Sequence, residues 1–409
     1  MRQSITESTY LTKRKLKANF LGFLFYIFRL FPVSRRKIVL SNFEGRGYGC
    51  NPKYIAEELL RRNTALPLKK RYKLVWLVDD LDKKFPDKIQ KVKNNVLNRA
   101  YQLSTAAVWV DNVRKPLETR KRPKQLYIAT WHGAIGFKPV GKLRGKAFPK
   151  IAYLVSEHDS SLVDYFLSNS EWCSQMYHKA FFYEGRLLKS GSPRCDVLVN
   201  DKQLQREKIR VKYGLPADSK ILIYAPTFRG GSQRASGMDV ESEQMNIDFY
   251  KLRDVLEQKF NGQWYVFLRL HPNFTKKNKA ITSYVNSERL VDVTQADDAY
   301  ELLAAADAFI SDYSSMVFDA AIMKIPVFLY TDDIKEYVQE RGELLWDMKE
   351  LPFKLAVDNA ALFYNISNFE YEAYESGLNE LYKRVDLLED GQASARVADL
   401  IDNFLAGKV

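Results

Sequence analysis

Short apolar runs alternating with helical stretches, from residue 37 onward, restrict this chain more than any other feature of its sequence. "KIVLSNF", "YKLVWLVDD", "AAVWVDN" and "LYIATWHG" are apolar-rich segments that end in polar or turn residues, as strands buried on both faces do. "NPKYIAEELLRR" between the first two reads as a helix, with Asn51 as its cap and Pro52 at its first position. The second half repeats the theme: "KILIYAPTFR", "WYVFLRLHP", "RLVDV", "AFISDYSS" and "IPVFLY" are strands, and "DDAYELLAAA" and "SSMVFDAAIMK" are helices between the later ones. Parallel sheets covered by helices are the expected result. With 409 residues there is chain enough for two cores. The expected architecture is α/β, with two doubly wound, Rossmann-like domains facing a cleft. "RLLKSGSPRCDVL" joins them, with Gly191 and Pro193 forming the hinge. The boundaries read as 1–36 for a basic N-terminal arm, 37–190 for the first domain and 191–409 for the second. The last helix is able to pack back on the first domain.

In doubly wound sheets, ligands sit at the carboxyl ends of the strands, so the polar residues that follow each strand are the candidates for function. His132 follows "LYIAT", Thr227 and Arg229 follow "ILIYAP", His271 follows "VFLRL", and Asp312, Ser314 and Ser315 follow "AFI". Serines at a strand-to-helix turn offer hydroxyls and free backbone N–H groups to a phosphate, or they cap the helix, and the two roles are compatible. Asp312 suits a sugar hydroxyl or the turn itself. Arg229, Arg269 and His271 together read as a cationic site able to neutralise a diphosphate. His132 is flanked by Trp131 and by Gly133, which lets a ligand approach closely, and Lys138 follows six residues on. A histidine so placed is either a general base for a hydroxyl or a satisfied core residue. The other two histidines, His158 and His178, have no phosphate-binding companion and read as structural or surface residues. The chain offers no HxxxH, DxD-type or Cys/His cluster that would force a metal, so neither metal nor cofactor is expected.

The formal charge of +13 is uneven. Between Glu7 and Glu44 there is no acidic residue, whereas Lys13, Arg14, Lys15, Lys17, Arg29, Arg35, Arg36 and Lys37 all fall in that interval. No recognition module accompanies the charge, so nucleic acid is not the expected partner. "ANFLGFLFYIFRLF" is too short to cross a bilayer, which takes about 20 apolar residues. It suits a helix lying at an anionic membrane surface; a plain core helix is the competing reading, and "FPVSRRK" is not a signal-peptide cleavage site. The three scattered cysteines form no CxxC pair and fit a reducing cytosol.

Taken together, "SNFEGRGYGCNPKYIAEEL", "TWHG…K", "GSPRCDVL", "ILIYAPTFR", "LRLHP" and "ADAFISDYSSMVFDAAIMKIPVFLYTDDIKEY" resemble the CDP-glycerol:poly(glycerophosphate) glycerophosphotransferases of teichoic acid and capsule synthesis. The blocks span roughly residues 40–350 in the family's order. The resemblance implies a GT-B fold and peripheral attachment to the cytoplasmic face of the plasma membrane. It also implies transfer of a polyol phosphate from CDP-glycerol or CDP-ribitol to a lipid-linked or polymeric acceptor. His132 and His271 correspond to the family's two essential histidines. His132 would be the base, and His271, with Thr227, Arg229, Arg269, Asp312, Ser314 and Ser315, would serve the donor; Gly133 and Lys138 would lie on the acceptor side or in the cleft. Ala134, Ile135, Gly136 and Phe137 stand where the family usually has a Thr-Pro pair before the lysine, and Cys195 replaces its usual asparagine. Two alternatives stay open: a nucleotide-sugar glycosyltransferase or epimerase of the same fold, and a non-catalytic membrane-bound assembly scaffold. Oligomeric state is not legible.

Overall fold

Two parallel sheets organise the protein in a computed structural model that describes residues 2–227, 246–270 and 289–408. The first unit comprises Met1–Ala134, Pro139–Asp196 and Asp386–Val409; the second comprises Ile135–Lys138 and Val197–Val385. The sequence placed the division at Gly191, but Ser190, Ser192 and Arg194 are buried in the first unit, where Ser192 N–H donates to the Glu389 carboxylate. Gly191 (φ +82°) is locked there as well, since a Cβ would lie 2.8 Å from the Leu388 carbonyl oxygen.

The first unit's strands are β1 (Ser34–Ser41), β2 (Lys73–Val78), β3 (Ile89–Lys93), β4 (Ala106–Asp111), β5 (Leu126–Ala129), β6 (Tyr165–Ser168) and β7 (Arg186–Lys189). They pair in parallel in the order β3-β2-β1-β4-β5-β6-β7. The order reverses between β1 and β4, and it is at such a switch point that a doubly wound sheet opens a crevice. β4 is buried along its whole length, which accounts for the unbroken apolar run "AAVWV". Helix α1 (Arg2–Ile27) leads into β1, and α2 (Cys50–Ala65), α3 (Val96–Ser104), α4 (Lys150–Ser160) and α5 (Glu171–Ala180) follow. The C-terminal helix Ala393–Leu405 does pack back on this unit: Val397, Ile401 and Leu405 share a core with Trp76 and Ile38. Arg62 ties the helix to α2 through Asp402 at 2.8 Å.

The basic arm is not a separate segment. Its residues from Ser34 onward are β1, whose first N–H donates to the Thr105 carbonyl. Helix α1 buries Ala18, Gly22 and Phe25, spaced one turn apart, and Arg14 reaches Glu118 at 3.1 Å. The opposite face is apolar too. Leu16, Phe20, Phe23, Ile27 and Leu30 are all exposed, Phe20 at 79% and Leu30 at 85%, and their spacing makes one continuous helical stripe. No described helix is long and apolar enough to cross a membrane.

The second unit's sheet runs β10-β9-β8-β11-β12-β13, again all parallel. Its strands are β8 (Lys220–Tyr224), β9 (Trp264–Leu268), β10 (Leu290–Asp292), β11 (Ala308–Ser311), β12 (Val327–Tyr330) and β13 (Lys354–Ala356). The order reverses between β8 and β11, so Thr227 and Asp312 follow the two strands that flank the switch point.

Candidate functional site

In the first unit the switch point is closed by two asparagines, one at the end of β1 and one at the end of β4. Asn112 is fully buried; its side-chain amide donates to Asn42 Oδ1 at 2.7 Å, and its own Oδ1 accepts the Phe43 N–H at 2.8 Å. That leaves the Asn112 backbone carbonyl facing His132 Nδ1 at 2.8 Å. A carbonyl oxygen only accepts, so Nδ1 carries the proton and Nε2 holds the lone pair. The ring packs against Trp131 (centroids 4.4 Å apart) and Phe43 (5.1 Å). Burial pushes the imidazole down to about 4; the Asn112 carbonyl opposes the shift, and Arg194, Arg114 and Arg46 add to it. His132 is therefore neutral at physiological pH, with one defined basic nitrogen.

The backbone beside it is strained and held. Trp131 adopts φ +53°, a left-handed conformation unusual for a bulky residue. Asn51, 2% exposed, donates to the carbonyls of Thr130 (3.2 Å) and Trp131 (2.9 Å) and accepts the Arg194 N–H at 3.0 Å. The helix-cap reading of Asn51 is thereby corrected. Gly49 precedes α2 and caps it without a side chain, and Asn51 lies inside the helix, where its amide serves other segments. Gly133 extends this clamp, its carbonyl accepting the Tyr177 hydroxyl at 3.0 Å. Below β4, Lys115 pairs with Asp111, and Asp159 accepts the Lys115 N–H (2.8 Å) and the Tyr127 hydroxyl (3.0 Å); burial pushes the Asp159 carboxyl up to about 7. His158 and His178 each bond a backbone carbonyl, of Thr119 and Tyr183.

In the second unit a carboxylate does the closing. Both oxygens of buried Asp312 accept the Thr227 N–H at 2.9 Å, and Oδ1 also accepts the Tyr313 N–H at 2.6 Å. Ser311 adds a bond to the Ala225 carbonyl at 2.6 Å. Asp312 thus serves the turn, the second of its two expected roles, and it fixes Thr227 at the end of β8. Lys138 belongs to this unit: its ammonium donates to Thr227 Oγ1 at 3.4 Å and lies 5.9 Å from the Tyr337 ring. The segment is anchored by Phe137, which packs on Phe318 (5.0 Å) and accepts the Leu345 N–H at 2.8 Å. A Cβ on Gly136 would stand 3.3 Å from Ser315 Cβ, so this stretch runs directly beside the serine turn. Ser314 Oγ accepts the Met316 N–H at 3.3 Å, whereas Ser315 makes no capping bond with its side chain. Arg269 donates to the carbonyls of Val293 (3.3 Å) and Ala296 (3.0 Å), holding the turn after β10. Arg229 and His271 lie outside the described residues.

A family model described as CDP-glycerol:poly(glycerophosphate) glycerophosphotransferase matches residues 23–403. The chain belongs to that family. This glycerophosphotransferase-family chain is 30% identical, over 381 residues, to a teichoic acid poly(glycerol phosphate) polymerase of Staphylococcus epidermidis, covering 90% of this chain and 51% of the relative. It thus spans about half the length of that relative. A teichoic acid ribitol-phosphate primase of Bacillus spizizenii is 29% identical over 312 residues, 75% of this chain and 77% of the primase. A solved structure of the wall teichoic acid polymerase TagF, a histidine-to-asparagine variant soaked with CDPG, superposes with a TM-score of 0.79 at 28% identity, covering 100% of this chain and 98% of that one. The two parallel-sheet units are of the GT-B-like class.

Sequence reasoning missed several residues that shape these glycerophosphotransferase strand ends. Asn42 and Asn112 each follow a strand, the same signal that exposed His132. Beyond its place in "NPKYI", Asn51 carried only a capping signal, and the partners found here lie 79–143 residues away. Arg194, 1% exposed, gave no sign beyond its place in "GSPR".

Proposed function

We propose that this chain transfers glycerol phosphate or ribitol phosphate from its CDP-activated form to a hydroxyl of a lipid-linked or polymeric acceptor. His132 Nε2 takes the hydroxyl proton. The freed oxygen forms a bond to the phosphorus bearing the polyol, the bond from that phosphorus to the bridging oxygen breaks, and CMP leaves. Lys138, Thr227, Ser314 and Ser315 hold the diphosphate, together with Arg229 and His271 on the strength of the family pattern. Arg269 and Asp312 act behind them, one on the turn after β10 and one on Thr227. Such a transfer depends chiefly on positioning and charge stabilisation, which a lysine, hydroxyls and backbone N–H groups supply. CDP-polyol is a substrate in this reading, and no separate cofactor enters it. The observation that carries the proposal is the Asn112 carbonyl on His132 Nδ1, which leaves a neutral imidazole with its basic nitrogen unengaged by that bond.

The direct test is CMP release. With a synthetic lipid-linked acceptor, CDP-glycerol or CDP-ribitol is expected to yield CMP and a product heavier by one polyol phosphate per transfer. Release of UDP from UDP-sugars instead would move the chain to the glycosyltransferases, and no stabilisation against heat by CDP would move it to the scaffolds.

We also propose that the chain works as a peripheral protein at the inner membrane surface. The exposed stripe from Leu16 to Leu30, beside exposed Lys13, Lys15 and Lys17, supports this. Each buried phenylalanine contributes about 1.5–3 kcal/mol, so the F20D/F23D double variant is expected to bind phosphatidylglycerol-containing vesicles at least tenfold more weakly in co-sedimentation. Unchanged co-sedimentation would remove the stripe from the reading.

A further inference from the structure

At the amino-terminal edge of the first sheet, opposite the edge that carries His132, an open groove of about 520 Å³ runs between the starts of β1 and β4 and the C-terminal helix. Val33, Phe404 and Leu405 wall it, and Val33 and Phe404 pack on the unit's main core. Arg35, Arg122 and Lys124 rim it. Pockets of this volume accept a small amphiphile.

The rim is cationic and unneutralised. Arg35 donates to the Leu405 carbonyl (2.8 and 3.1 Å), and Arg122 donates to the carbonyls of Phe28 (3.0 Å) and Phe31 (2.8 Å). Neighbouring Arg29 donates to the Lys121 carbonyl at 3.1 Å. Among the described residues no carboxylate pairs with Arg29, Arg35, Arg122 or Lys124. The Nε atoms of Arg29 and Arg122 are buried without a hydrogen-bond partner among the described residues. Arginine forks with spare donors suit a phosphate diester.

The groove is also continuous with the apolar face of α1. Leu30 and Phe31, 85% and 47% exposed, end that face three and two residues before Val33, and Arg122 bonds the turn that joins them. A bilayer in contact with the stripe would present its headgroups to this rim. From this charge complementarity and continuity we infer that the groove is a binding site for one anionic phospholipid of the membrane, its phosphate on Arg35, Arg122 and Lys124 and the start of an acyl chain against Val33 and Phe404. The inference takes its occupant from the peripheral attachment proposed above, yet it does not depend on the transfer reaction.

The test uses the full chain and a lipid too short to form a bilayer, so that the stripe alone cannot give a saturable signal. Dihexanoylphosphatidylglycerol below its micelle concentration is expected to bind one molecule per chain in calorimetry. Dihexanoylphosphatidylcholine and inorganic phosphate should each bind at least about tenfold more weakly, and the R35E/K124E variant should lose a similar factor. K124E alone, at an exposed position, guards against misfolding and should show the same direction, whereas F20D should bind like the parent. Absence of saturation, equal binding of the zwitterionic lipid, or loss of binding in F20D but not in K124E would overturn the site. Tighter binding of farnesyl phosphate than of the phospholipid would overturn the occupant. Vesicle binding that fails for the F20D/F23D variant while the short lipid still binds separates the stripe from the groove.

Discussion

His132→Ala is expected to lower CMP release by about 10²–10⁴-fold, the usual range for loss of a general base. The residues proposed to hold the donor are in the second unit and are untouched, so KM for the CDP-polyol should stay within about twofold, and the loss should appear in kcat. His132→Gln offers a second variant that keeps polar bulk beside Trp131 and Phe43 yet has no titrating nitrogen; it should be equally slow. Full turnover in both would end the base assignment. The pH dependence gives a second reading of the same atom. With the folded imidazole near 4, the acid limb of kcat/KM should fall at about that pH, well below the ordinary histidine value of about 6.5. The linkage has a definite sign. The unfolded chain takes up this proton near 6.5 and the folded chain only near 4, so stability from this residue is intact above 6.5 and declines as pH falls toward 4. His132→Gln should flatten that part of the urea-stability profile.

The central strands were legible because parallel strands buried on both faces must be written in nearly uninterrupted apolar residues. β2, β4, β5, β8, β9, β11 and β12 satisfy that demand, and so does the second half of β1. At the sheet margins it lapses: β3 reads "IQKVK" and β7 "RLLK", and neither has the pattern of a core strand. β7 passed for part of the joining segment for this reason, although it belongs to the first unit. β13 is only three residues long. The strand-end rule located His132 and Thr227 but could not assign company to Lys138, whose partner Thr227 is 89 residues away. Nor could it distinguish a ligand contact from a brace. Asp312 and Arg269 have the residue types of a binding site, yet each also braces backbone groups of neighbouring turns. The N-terminal arm was legible as amphipathic and basic. Its second apolar face, the one that packs on the first unit, was not, because a helix apolar on two faces shows no single stripe in sequence.

Asn51→Ala is expected to cost about 2–5 kcal/mol of stability, read as a shift of the urea midpoint, and to slow turnover as well. The substitution strips three backbone groups of their partner at once, and a buried unsatisfied group costs about 1–3 kcal/mol. It also releases the carbonyl of Trp131, whose left-handed backbone persists only while its surroundings hold it. Relaxation there swings His132 away from the Asn112 carbonyl, so kcat should fall while KM for the donor does not change. Asn51→Asp tells a packing effect from a donor effect. It keeps the volume and the acceptor for the Arg194 N–H, but it turns a carboxylate oxygen toward two carbonyls. At pH 8 the aspartate variant should therefore be at least as unstable as the alanine one. As pH falls, the buried carboxyl takes up a proton and regains one donor, so its deficit against the parent should narrow between about pH 7 and 5, whereas that of Asn51→Ala should not. Parallel curves for the two variants would mean that Asn51 only fills space, and the link from α2 to the histidine would have to be given up.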